Sequence, residues 1–185
     1  MKHSVVEKLK TYALIFLVIL TIVGCVKFYN DKQEEGSKYE SFLNAFYFEL
    51  SRINQVIDLT LTAEPEEGID EKQRLSSLLY SIDNRLERIV LIIDLGNRWV
   101  DKDIYSNRFH LSVFNNREYL PGFAADGILD NDERLFLETL RSELESIRSG
   151  MYSEETKQEN PNLTIEQLNK LITDVVWISN EELSN

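Results

Sequence analysis

Few side chains in this 185-residue chain are equipped for nucleophilic or metal chemistry, and its only thiol is Cys25. A lone cysteine makes no intramolecular disulfide, which leaves covalent modification as its distinctive chemistry. The two histidines are His3 and His110. A zinc centre built from Cys and His needs about four ligands, and thiol nucleophiles need a base brought alongside. Neither set of residues is present. Carboxylates are abundant, and Asp126-Gly127-Ile128-Leu129-Asp130-Asn131-Asp132-Glu133 is a tempting calcium loop. A helix–loop–helix calcium site takes oxygen ligands at its first, third and fifth positions, Gly at the sixth and an acid at the twelfth. Counted from Asp130, the fifth and sixth residues are Arg134 and Leu135; counted from Asp126, the third is Ile128. Both registers fail. The same residues suit a helix start, with Asp130 as N-cap, Glu133 closing a capping box and acids in the first turn facing the helix dipole. Gly-rich phosphate loops, G-x-S-x-G, H-E-x-x-H and C-x-x-C motifs do not occur. No catalytic residue, metal or cofactor is expected, and the chain is read as a non-enzyme.

Cys25 sits at the end of a distinctive segment. Lys2, Lys8 and Lys10 precede an uncharged run from Thr11 to Val26, and Lys27 follows it. A cationic stretch, an apolar stretch and a small residue near its end are the layout of an export signal. Ile22-Val23-Gly24-Cys25 resembles the lipobox of bacterial lipoproteins, in which an aliphatic and a small residue precede the cysteine. The resemblance implies that the Cys25 thiol is diacylglycerated, that the signal is cut before it, and that Cys25 becomes the lipidated N-terminus. It covers the first 25 residues only and implies nothing about the rest.

The alternative is an uncleaved signal anchor, with Cys25 merely a small apolar residue in a helix. Thr11 to Val26 is sixteen residues, or about 24 Å of helix against a hydrocarbon core of about 30 Å. Lys10 and Lys27 can snorkel, and Tyr12, Phe28 and Tyr29 suit the interface, so a slightly thinned bilayer is spanned. Both readings make residues 1–28 the membrane-targeting segment at the cell membrane. Both place the remainder on the extracytoplasmic side, because the basic flank stays in.

Residues 29–37, centred on the polar Asn30–Gly36, are expected to form a tether, followed by a helix capped by Ser37-x-x-Glu40. Tyr39, Phe42, Leu43, Phe46, Leu50, Ile53 and Ile57 recur at three- and four-residue steps, which predicts a long helix ending before Ala63-Glu64-Pro65. A loop at Pro65–Gly68 leads to a second helix, capped by Asp70-x-x-Gln73 and running through Leu75, Leu78, Leu79, Ile82, Leu86, Ile89, Val90 and Ile93 to a stop at Gly96. The two are long enough to pair as an antiparallel hairpin. Ile104–Phe114 fits either a short helix or a strand, and Leu120-Pro121-Gly122-Phe123 a turn. A third helix runs from the Asp130 cap through Leu137, Leu140, Leu144 and Ile147 to Gly150, and a last one is capped by Thr164-x-x-Gln167 and runs through Leu168, Leu171, Ile172, Val175 and Val176, with Trp177 near its end. The expected fold is mainly α, an N-terminal membrane segment followed by a bundle of about four to five helices over residues 38–185.

Charge narrows the partners. Of 20 basic and 32 acidic residues, three and one precede Cys25, so the remainder holds 17 and 31 and carries −14. Such a surface repels nucleic-acid phosphates, and nucleic-acid binding is excluded. The expected function is a non-enzymatic protein-interaction or accessory module of a membrane or envelope complex. The alternative is an extracytoplasmic sensor or small-ligand-binding domain, with the aromatic-rich first helix lining a pocket.

Overall fold

The computed structural model describes residues 2–62, 70–105 and 120–174. Among them the chain is helical: α1 spans Lys2–Leu61, α2 Glu71–Trp99, α3 Asn131–Met151 and α4 Ile165–Asp174, with a single 3₁₀ turn at Leu120–Gly122. It divides into two compact units, Met1–Tyr39 and Glu40–Asn185. The Pro65–Gly68 loop, most of Ile104–Phe114 with His110, and Val175, Val176 and Trp177 lie outside the described residues.

In the first unit, every residue from Phe16 to Lys38 is exposed. Asn30–Gly36, expected to form a tether, is helical and part of α1, and Ser37, expected to cap a helix start, lies inside the helix. The stretch contains no proline, and Lys, Gln and Glu favour helix strongly enough to carry Gly36 at a cost of about 1 kcal/mol. Side chains one turn apart add support. Lys32 Nζ lies 5.7 Å from the Phe28 ring centroid, and Lys38 Nζ is 2.7 Å from Glu34 Oε1. The expected membrane-spanning segment gains no support from helix hydropathy: among the described residues, no helix is long and apolar enough to cross a membrane.

The second unit holds the core. The α1 residues Phe42, Leu43, Phe46, Leu50, Ile53 and Ile57 are buried, as are Leu75, Leu79, Ile82, Leu86, Ile89 and Ile93 of α2. Two contacts set these helices antiparallel: Phe42 packs at Gly96, and Arg85 donates to Glu49. Helix α3 adds Phe136, Leu137, Leu140, Leu144, Ile147 and Met151, and α4 adds Leu168 and Ile172. Burying these apolar faces together is the main favourable term in folding.

Local chemistry sets the helix starts. Asp70 Oδ1 accepts from the Gln73 amide at 3.3 Å. Asp130 and Glu133 close a full capping box, and Thr164 and Gln167 exchange bonds of 2.9 and 3.2 Å. The stops depart from expectation. Helix α2 continues past Gly96 to Trp99, and the Gly96 carbonyl accepts the Val100 and Asp101 amides that end it. Helix α3 likewise passes Gly150 and ends at Met151. At both positions the missing side chain makes room. A Cβ on Gly96 would overlap the Phe42 ring, and one on Gly150 would overlap Leu171 of α4.

Candidate attachment site and polar seam

The residues with sequence-level chemistry lie together on α1. Ile22 and Val23 are exposed, no atom approaches the Gly24 Cβ position within 4 Å, and Cys25 is a free, exposed thiol. Phe16, Leu17, Val18, Ile19 and Leu20 are also at least half exposed, as are Val26, Phe28 and Tyr29. These side chains form an exposed apolar surface on one helix. Cleavage before Cys25 would require local unwinding at a position where two β-branched residues and a glycine make helix least favourable.

The second unit carries a polar seam where α1 meets α3. Arg148 Nη1 donates to the Tyr47 hydroxyl at 2.9 Å, and the guanidinium lies over the Tyr47 ring, 5.6 Å from its centroid. Arg141 pairs with Asp58 at 2.7 Å, and Arg134 reaches the Leu61 carbonyl at 3.0 Å. Glu145 is the hub. Its carboxylate accepts from Arg148 through Nε and Nη2, from Asn54 Nδ2 at 2.9 Å and from the Ser149 hydroxyl at 2.9 Å.

These donors, Arg148 first, hold the Glu145 carboxyl below the usual carboxylate range despite partial burial, and the Arg148 guanidinium is raised in turn. A carboxylate so occupied has its lone pairs engaged, and the cluster fastens α1 to α3. The pH consequence has a definite sign. A carboxyl whose pKa falls on folding contributes stability above its unfolded value, near 4.5, and loses it as pH drops through the folded value. Thermal melts should therefore show Glu145→Gln less stable than the parent at pH 6, with the gap shrinking below pH 4. A gap that is constant from pH 6 to pH 3 would count against this role.

Two asparagines hold the turn after α2. Asn97 Nδ2 donates to the Lys102 and Ile104 carbonyls, both at 2.8 Å. Buried Asn169 of α4 accepts from the Tyr105 amide at 2.8 Å and donates to the Asp103 carbonyl at 2.7 Å. Sequence reasoning passed over both, although an Asn between Leu168 and Leu171 on an apolar face is the signal a buried polar clamp leaves.

The acidic stretch 126–133 is occupied with backbone. Asp126 accepts from the Ile128 amide, and Glu133 accepts from Ala124 and Asp130 through its two oxygens. No group of three or more potential ligands suited to a metal occurs among the described residues. Phe42 and Phe46 are core residues, stacked with ring centroids 6.2 Å apart. A cleft of 260 Å³ is lined instead by Leu79, Tyr80, Asp83, Leu120, Pro121 and Phe123. Comparison of the chain with protein-family models, with curated proteins and with solved structures finds no match in any of the three.

Proposed function

We propose that this chain is a membrane-attached helical protein, held by acylation of Cys25 with its acidic bundle on the extracytoplasmic side, and that it serves as a non-enzymatic interaction or accessory module of an envelope complex. The observation that carries the reading is the apolar run ending at Gly24-Cys25, exposed from Phe16 onward and flanked by lysines. An apolar helix surface of this extent is stable only against lipid or another apolar surface. The shortness of the run favours a lipid anchor over an intact span, since sixteen uncharged residues reach about 24 Å and the hydrocarbon core is about 30 Å. The lysines ahead of the run, Lys2, Lys8 and Lys10, support the orientation. The accessory role is supported by the seam, where the Glu145 and Arg148 side chains are committed to holding helices.

Mass spectrometry of the mature N-terminus in a bacterial host that makes lipoproteins is the test. The parent should begin at Cys25 with added acyl mass, and Cys25→Ala should accumulate with its first 24 residues still attached. A parent chain retaining the Lys2–Lys10 region overturns acylation and leaves an uncleaved anchor as the mode of attachment.

A further inference from the structure

The α1 residues just after the attachment cysteine are sorted by face. At about 100° per residue, Cys25, Phe28, Tyr29, Lys32, Gln33 and Gly36 fall within an arc of about 140° of this helix, and Asp31, Glu34 and Glu35 all fall outside it. Phe28 and Tyr29 are 65% and 69% exposed. Together with Lys32 and Gln33 they line a shallow groove of 340 Å³, with the Lys32 ammonium over the Phe28 ring. Glu34, on the far side, is paired with Lys38. The chain beyond Cys25 is strongly acidic, yet between Cys25 and Gly36 this arc holds two aromatic rings, one cation and no acid.

We infer that this face is a lipid-contacting collar: the helix following Cys25 lies along the phospholipid headgroup layer with Phe28 and Tyr29 at the acyl boundary and Lys32 on a lipid phosphate. The inference rests on acylation of Cys25. Acyl chains leaving from Cys25 emerge on the same arc as the two rings, so the anchor itself turns that arc toward the bilayer. Aromatic side chains with a polar edge, and lysines whose stems lie on apolar surface, are the residues that settle at this boundary. A phosphate also fits Lys32 better than a second copy of the helix does, because two chains paired through this arc would bring their lysines together. The diacylglyceryl group already brings the two acyl chains that stable anchoring takes, so the collar fixes how the helix lies on the bilayer rather than whether the protein stays there.

Photo-crosslinking tests it in the full chain. A benzophenone amino acid is placed at Phe28, Tyr29, Asn30 or Glu34, one at a time, the chain is expressed in a lipoprotein-making bacterial host, and intact membranes are irradiated. Phospholipid adducts, identified by mass, should form at positions 28 and 29 and be several-fold weaker at 30 and 34. Equal lipid adducts at all four positions would overturn the one-sided collar in favour of an upright helix. Adducts at 28 and 29 to a second copy of the chain would overturn it in favour of self-association. A chain with acylated Cys25 that gives no lipid adduct at 28 or 29 sinks the collar and leaves the attachment intact. An unacylated chain overturns the attachment itself, and the collar with it.

Discussion

Replacing Phe46 with alanine is expected to destabilise the bundle by about 3–5 kcal/mol, the usual cost of removing a fully buried aromatic ring. Phe46 has no exposed surface, and its ring stacks on Phe42 at an interplanar angle of 3°. Truncation removes the apolar area and leaves a cavity that helices fixed on both sides cannot fill by collapsing. A domain of this size is stable by about 5–15 kcal/mol, so the variant should sit close to unfolding at physiological temperature. Urea unfolding of the full chain in mild detergent, followed by loss of helical circular dichroism, reads the change as a fall in midpoint. Phe46→Leu should recover most of the loss. A midpoint within error of the parent would show that the α1–α2–α3 core is not packed around this ring.

Arg85→Ala should come next in severity, at about 3 kcal/mol, because it strands a buried anion. Glu49 is 5% exposed, and its Oε1 is 2.7 Å from Arg85 Nη1. The remaining cation, Arg52, lies 3.8 Å from Oε2 with most of its side chain in solvent, where it interacts weakly. Arg85 also carries a burden of its own, since its Nε is buried without a hydrogen-bond partner. Removing both charges should therefore cost much less than removing one. Glu49→Leu with Arg85→Leu is expected to stand closer to the parent than Arg85→Ala does. The same unfolding assay decides it, and a double variant no better than the single one would show that Glu49 does not depend on Arg85.

What was legible in the sequence follows from the range of each interaction. Asp70, Asp130 and Thr164 announce their helices because an N-cap is satisfied within three residues. The apolar faces of α1, α2 and α3 are equally plain, since burial of Leu43, Ile82 or Leu140 follows from spacing alone. Gly96 and Gly150 mislead because a glycine near a helix end has two uses. Only the neighbouring helix, through Phe42 or Leu171, shows that close approach rather than a left-handed turn is the one in force. The helix start expected at Ser37 gave weight to the polarity and the glycine of Asn30–Gly36, where helix propensity and side-chain pairs one turn apart prevail. The Asn169 clamp joins residues more than sixty positions apart, and the Arg148–Tyr47 bond spans 101. No local pattern encodes such partners. The proposed attachment site differs in kind, since it rests on the contiguous residues Ile22 to Cys25 and on no tertiary partner.

The Gly96–Phe42 contact also bears on how the hairpin finds its alignment. Apolar stripes repeating every three or four residues are nearly self-similar when one helix slides along another by a turn, about 5.4 Å, so hydrophobic burial alone discriminates poorly between offsets. The notch at Gly96 breaks that degeneracy. One turn earlier on α2 the Phe42 ring would meet Ile92, and one turn later Val100 just past the helix end, each bearing a branched side chain where the ring must sit. The same slip would draw Arg85 away from Glu49 and leave the buried carboxylate exposed to the full cost of desolvation. One missing side chain and one ion pair thus act as a two-point key, and a chain that collapses out of register meets a clash and an unpaired charge at once.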